Sequence, residues 1–325
     1  MKIEHFDVLL DKPPDQAYLA GQTLLGQIQV HATKRIVISG LHVTISGTME
    51  TGWRQKKGDT VFESRSNILH ESLDLTTTIA DHCTDDFRLH EGQHTIPFEI
   101  QLPLDVLSSV ERENLGGICY TCTAVLEIPE GGGSQIIAER PLKIFCVLNL
   151  DAPHLRAPAV VSEEDEKRSL CGLRRKRVIA TMRVHESGFL PGETTRITLT
   201  MENRRRKKRR LRLLKREDTR SEHGCVLISF CQQLDFVSSQ RGNPTNRERR
   251  SVTIALESHG TCKAGPDNGP ETKDIEFEIP SDLPPTSVQA DGLITVSYFF
   301  KLDLEHFDVI VPVVIGTIKS IDGTL

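Results

Sequence analysis

Long apolar runs are missing from this sequence. None approaches the ~20 residues that a membrane-spanning helix needs. The longest, Val309 to Gly316, is strand-sized and interrupted by Pro312. The start, Met1-Lys2-Ile3-Glu4-His5-Phe6-Asp7, has neither a basic opening nor an apolar core, so no signal peptide is expected. The catalytic words are missing too: no Gly-x-Ser-x-Gly elbow, no His-Glu-x-x-His and no phosphate loop. Gly131-Gly132-Gly133-Ser134 lacks the lysine and the following helix of such a loop, and reads as a hairpin tip. Aromatics make up only 5% of the chain, with a single tryptophan, Trp53, in the polar hairpin region Gly52 to Asp59. It reads as a ring covering a sheet edge rather than as a ligand-stacking platform.

Cysteine is present without a pattern. Eight cysteines without a signal peptide read as reduced thiols. The one Cys-x-x-Cys, Cys119 and Cys122, lies in an alternating run (Ile118, Tyr120, Cys122, Ala124, Leu126) that points its two thiols to opposite faces. No second pair or histidine partner stands at zinc spacing, so no metal is expected. The 12 histidines are scattered, and His5, His42, His185 and His306 fall in strand contexts. The acid pairs Asp85-Asp86 and Glu163-Glu164 read as lying in polar loops, where neither partner would be desolvated enough to shift its pKa. No enzymatic activity and no cofactor are expected.

What the chain does have is period-two alternation. Val178, Ala180, Met182 and Val184 alternate before His185-Glu186-Ser187-Gly188-Phe189-Leu190-Pro191-Gly192-Glu193, and Ile197, Leu199 and Met201 alternate after it. This is strand, turn, strand with one buried face; proline presets one turn dihedral and glycine accepts positive φ. A similar phrase, Tyr18-Leu19-Ala20-Gly21-Gln22-Thr23, opens an alternating strand about half a chain earlier. Two related all-β domains in tandem follow from that self-similarity, and 325 residues suit two domains of ordinary size. The domains are expected over residues 1–150 and 174–325. A linker over 151–173 would hold Pro153, Pro158 and the polar run Ser162 to Arg168. Asn67 to Thr78 reads as a further strand. Glu4-His5-Phe6-Asp7-Val8 recurs as Glu305-His306-Phe307-Asp308-Val309, by chance or by distant duplication. Helical signals are few, so the fold class is two β-sandwiches.

The sequence resembles the arrestin superfamily, and within it the α-arrestins. The matching words are Tyr18-Leu19-Ala20-Gly21-Gln22, Gly47 with Trp53, Glu91-Gly92-Gln93-His94, and Pro97-Phe98-Glu99-Ile100-Gln101-Leu102-Pro103. They continue through Gly116-Gly117-Ile118-Cys119-Tyr120, Gly188 to Glu193, Glu202-Asn203, Leu283-Pro284-Pro285-Thr286 and Val311 to Thr317. The resemblance implies tandem arrestin-like (immunoglobulin-like) sandwiches and a non-enzymatic cytoplasmic adaptor, recruited to plasma membrane and endosomes. Such adaptors link membrane cargo, receptors or transporters, to ubiquitin ligases and endosomal sorting. The family's Pro-Pro-x-Tyr ligase motif is not found here: Pro13-Pro14 and Pro284-Pro285 lack the tyrosine. An alternative on the same fold is a retromer-subunit-like sorting scaffold.

The chain also departs from the family by a basic insert over 204–224, which opens with Arg204, Arg205, Arg206, Lys207, Lys208, Arg209, Arg210, Leu211, Arg212, Leu213, Leu214, Lys215 and Arg216. Such a run repels itself and reads as a loop or exposed extension. Each cation near an anionic lipid surface contributes about 1 kcal/mol, which makes these residues the candidate lipid- or partner-binding set. Nuclear import and weak RNA binding are the other readings. The formal net charge of -5 and the absence of interleaved aromatics argue against nucleic acid.

Overall fold

The computed structural model describes residues 2–55, 59–129, 133–168, 174–207, 225–262, 269–287, 292–304 and 307–320. The chain packs as two compact units. Unit 1 holds Met1–Val147, Asp235–Arg250 and Gln289–Thr295, and unit 2 holds Leu148–Leu234, Ser251–Val288 and Val296–Leu325.

The first stretch of unit 1 runs β1 (Ile3–Leu10), β2 (Ala17–Leu19), β3 (Thr23–Ala32), β4 (Ile36–Val37), β5 (Gly40–Arg54), β6 (Val61–Asp74), α1 (Thr76–Ala80), β7 (Arg88–Leu89), β8 (Gly92–Gln101), β9 (Val110–Arg112), β10 (Gly116–Ile128) and β11 (Ser134–Phe145). One sheet has the order β1-β3-β8, and another runs β2-β11-β10-β5-β6 with β9 beside β10. Alternation decides which face is buried. Leu24, Ile28 and Val30 of β3, Leu41, Val43 and Ile45 of β5, and Cys122, Ala124 and Leu126 of β10 are all nearly or fully buried. Burying each large aliphatic side chain stabilises the fold by about 1.5–3 kcal/mol. Gly47 faces the ring of Tyr120 across the β5–β10 ladder, and a Cβ there would collide with it. The strand expected over Asn67 to Thr78 stops at Asp74. Its carboxylate accepts the Thr76 amide at 2.8 Å and turns the chain into α1, a local competition that threonine-rich sequence does not betray.

Unit 2 continues with α2 (Pro153–Arg156), β12 (Ala159–Arg168), β13 (Arg174–Val184), β14 (Gly188–Phe189), β15 (Thr194–Lys207), β16 (Cys225–Gln240), β17 (Asn243–Cys262), β18 (Glu271–Glu278), β19 (Ile294–Asp303) and β20 (Asp308–Ile315). The ends of β16 and the start of β17 belong to unit 1. One sheet has the order β12-β13-β15-β18; the other includes β14-β20-β19-β16 with β17 beside β16. The stretch read as a linker thus carries α2 and an edge strand. Ser162 to Arg168 is polar because β12 bounds its sheet and keeps Ser162, Glu163, Glu164 and Glu166 exposed. The core is an aromatic stack: Phe230 lies 5.1 Å from Phe300 and 5.7 Å from Tyr298, and Phe277 lies 5.2 Å from Phe300.

The self-similarity is structural. β2 pairs in parallel with β11, and β14 pairs in parallel with β20. Gly21 (φ 74°) and Gly192 (φ 83°) take the same left-handed turn between these short strands and the long ones that follow. The pentapeptide recurrence is not part of the duplication: its first copy lies in β1, whereas the second approaches β20, and Glu305 and His306 lie outside the described residues.

Candidate functional site

Unit 1 carries a groove of about 1210 Å³ between the outward positions of β5 and β6 and the turn that joins β9 to β10. Glu50, Glu63, Arg65, Glu111, Glu113 and Cys119 are among its lining residues. Period-two geometry puts them there, since Ile118 and Tyr120 face the core while Cys119 faces out. Asn114 (φ 63°) and Gly116 (φ 128°) let the wall turn tightly. Glu50 pairs with Arg65 at 2.9 Å. The Cys119 thiol donates to Glu111 at 2.7 Å; burial and this carboxylate push its pKa up to about 12. Cys122, on the opposite face, is pushed up to about 12 by burial. Both thiols are neutral near pH 7, so neither is poised as a nucleophile.

Beside the groove, residues 235–250 lie on unit 1 as a strap. Gln240 stands opposite Phe62, the Arg241 amide donates to the Val61 carbonyl at 2.9 Å, and the Ser239 amide donates to Ser64 Oγ at 3.0 Å. Thr51 Oγ1 donates to the Val237 carbonyl at 2.8 Å, and Phe236 and Ser238 are fully buried. Farther along, Trp53 is only 7% exposed. Its ring stacks on Phe62 at 6.1 Å, the Arg250 guanidinium covers it at 4.8 Å, and its Nε1 donates to Glu248 at 3.1 Å. Gln55 and Arg250 also donate to Glu248, at 2.6 and 3.0 Å. Burial raises the Glu248 pKa, but these donors outweigh it and hold the carboxyl below its ordinary value. Contrary to what its sequence context suggests, the lone tryptophan does not cover a sheet edge: β5 lies between β6 and β10, and the ring is itself covered by Arg250. The clamp around it was not legible, because Trp53 and Glu248 are 195 positions apart. The cluster Arg247-Glu248-Arg249-Arg250 was the only signal.

The basic run divides. Arg204, Arg205, Arg206 and Lys207 continue β15 as a strand rather than a loop, opposite Arg177, Lys176, Arg175 and Arg174 of β13. The main-chain ladder of β15 carries on past Asn203 despite the like charges. Lys208, Arg209, Arg210, Arg212, Lys215 and Arg216 lie outside the described residues. On its other side Arg177 stands opposite Glu166 of β12 and pairs with Glu164. Glu164 is thus held by Arg177, while Glu163, the next residue along β12, lies on the other face of the strand. Asp86, of the other acid pair, is held by Thr84 and Arg88, which lower its pKa.

Two histidines do meet. His94 is buried, accepts or donates at 3.3 Å with His82 through their Nδ1 atoms, and uses Nε2 toward the His90 carbonyl at 2.8 Å. The carbonyl can only accept, so His94 Nε2 carries the proton of that bond. Among the described residues no group of three or more histidine, cysteine, aspartate or glutamate side chains is arranged to hold a metal ion. Nor is any helix among them long and apolar enough to cross a membrane.

Comparison with known proteins places this architecture. Residues 6–150 match the model of the arrestin (or S-antigen) N-terminal domain, and residues 174–320 match that of the C-terminal domain. The whole chain is 23% identical over 338 aligned positions to arrestin domain-containing protein 17 of Caenorhabditis elegans, 73% of whose length it covers. It is 22% identical to mouse arrestin domain-containing protein 4, with 62% of this chain and 49% of that one aligned. Human arrestin domain-containing protein 5 is 25% identical, with 59% and 55% aligned. The chain thus spans about half the length of the latter two relatives. With both arrestin domains in order, two duplicated β units and relatives of this kind, the chain belongs to the arrestin family, as a member of α-arrestin type.

Proposed function

We propose that this protein is a non-enzymatic adaptor in membrane-protein trafficking, endocytosis and ubiquitin-linked sorting. The observation that carries the reading is the tandem arrestin match over residues 6–150 and 174–320, with relatives named arrestin domain-containing proteins. The adaptor works in the cytoplasm and is recruited to plasma membrane and endosomes. It binds receptor or transporter tails through surface complementarity and strand addition. β1 and β12 each bound their own sheets and suit that mode. The sequence holds no Pro-Pro-x-Tyr motif, and a ubiquitin ligase is the further partner this reading predicts. Proximity labelling in cells tests the reading. Transporters, endosomal proteins and ligases are expected among the labelled proteins; nuclear proteins alone would overturn it. A stoichiometric, salt-resistant complex on gel filtration would favour the retromer-like scaffold instead.

A second reading has its own observation, the register that sets Arg174–Arg177 opposite Arg204–Lys207. Like charges directly opposite one another are destabilising, and an anionic surface relieves them. In this reading the ladder and the insert bind anionic lipid headgroups. Sedimentation with phosphatidylserine vesicles is expected to fall steeply with salt; salt-independent binding, or binding unaffected by deletion of Arg204 to Arg216, would remove it.

A further inference from the structure

The strap is the tip of the β16–β17 hairpin, and its β16 arm lies on unit 1 as an added strand would. It adds to the edge of β6 through the Gln240–Phe62 pairing and the Arg241 amide, and it fills two seats with arginine. In the first, Arg241 reaches the Glu63 carboxylate with both Nε and Nη2, each at 2.5 Å. In the second, the Arg250 guanidinium lies on the face of Trp53 at 4.8 Å. A planar guanidinium suits both a carboxylate fork and an aromatic face, whereas an ammonium matches neither geometry as well. Glu63 also lines the neighbouring groove, which continues from it to Glu50 and Glu113.

Of the contacts that hold residues 239–250, the Arg241–Glu63 pair is the most exposed, whereas Trp53 is 7% exposed beneath Arg250 and β17 pairs with β16. The side chains of Arg241 and Glu63 are 65% and 48% exposed, and solvent screens ion pairs so exposed. The strap's inner half is different: Phe236 and Ser238 are fully buried. We infer that residues 239–250 occupy, within the chain, a docking edge for an extended arginine-bearing segment of a partner. That segment displaces the strap and takes over the Glu63 and Trp53 seats. The inference rests on the adaptor reading for the partner's identity: cytoplasmic segments next to membrane spans are enriched in arginine and lysine, so membrane cargo carries the matching chemistry.

The test uses the intact chain and its only tryptophan. A synthetic twelve-residue peptide alternating arginine and serine is titrated while Trp53 emission and acrylamide quenching are followed, alongside its lysine counterpart. Arg241→Gln with Arg250→Gln empties the seats without touching them, and is expected to tighten arginine-peptide binding by about tenfold. Glu63→Gln removes a seat and is expected to weaken binding by about fivefold or more. The lysine peptide is expected to bind several-fold more weakly. Should the double variant fail to fold, the two single arginine variants give the same sign. No change at Trp53 on adding peptide, equal binding by all variants, or equal affinity for the two peptides would each overturn the inference. Failure here with cargo labelled in cells would leave the adaptor reading standing. Success here without membrane proteins in the labelling would sink the adaptor reading and keep the arginine site.

Discussion

The two units solve one problem with the same parts and different charges. Each must pin a short strand, the turn after it and the long strand beyond. In unit 1 the side-chain oxygen of Gln22 accepts from the Leu19 amide at 3.1 Å and from Lys12 Nζ at 2.9 Å, and that ammonium lies 4.7 Å over the Tyr18 ring. In unit 2 Glu193 accepts from the Leu190 amide at 2.9 Å and from Lys319 Nζ at 3.1 Å, and that ammonium lies 5.9 Å over the Phe189 ring. The lysines arrive from opposite directions along the chain. Lys12 precedes its short strand, and Lys319 follows the last strand of its unit. Unit 2 also brings Glu186 to within 2.7 Å of Lys319, so a neutral amide latch in one unit is a two-carboxylate ion cluster in the other. The geometry is what duplication preserved; the charge state was free to diverge.

The aromatic cores differ as well, and the largest expected effect lies there. Phe230→Ala in unit 2 opens a cavity among Tyr298, Phe277 and Phe300 and should cost about 3–5 kcal/mol, read as a lower midpoint in urea unfolding. A smaller contrast concerns two equivalent tyrosines. Tyr120 donates to the Leu107 carbonyl, and Tyr298 to the Pro284 carbonyl, each at 2.7 Å. Tyr298 also accepts from the buried amide of Gln232 at 2.9 Å. Tyr120→Phe should therefore cost about 1 kcal/mol, and Tyr298→Phe about 2–3 kcal/mol because Gln232 is left unsatisfied. Equal costs would show that the two corners are energetically alike.

The latches give the next contrast. Lys319→Met leaves Glu186 and Glu193 together without a cation and should lower stability by about 1–2 kcal/mol, whereas Lys12→Met should cost less than about 1 kcal/mol. Burial opposes the charge on Lys319, but Glu186 and Glu193 outweigh it and raise its pKa. Its contribution is then complete below the ordinary lysine pKa of about 10.4 and is lost as pH rises through the higher folded value. Alkaline unfolding of the wild type should show that step, and Lys319→Met should lack it. The smallest effect is expected at the strap. The Glu248 pKa is held down, so its contribution is present above the ordinary glutamate value of about 4.3 and fades as pH falls through the lower folded one. Trp53 quenching should rise in that acid range while far-ultraviolet circular dichroism stays constant, and Glu248→Gln should show the higher quenching at neutral pH.

Much of this was legible in advance. Alternation exposes one-face burial directly, so the strands around Gly21 and Gly192, their duplication and the all-β class follow from local pattern. β12 escaped because an edge strand with a wet surface has no apolar alternation to show. The start of the basic run escaped because charge repulsion argues against a strand, while the ladder with β13 carries it on regardless. Residue identities along the chain determined the periodicity, the turn chemistry and the family words, since each depends on neighbours within a few positions. Only the tertiary structure decided which lysine sits on which ring, that Arg250 covers Trp53, and that Arg174–Arg177 face Arg204–Lys207. Those pairings join residues that packing and register bring together, and nothing in the local sequence encodes the distance between them.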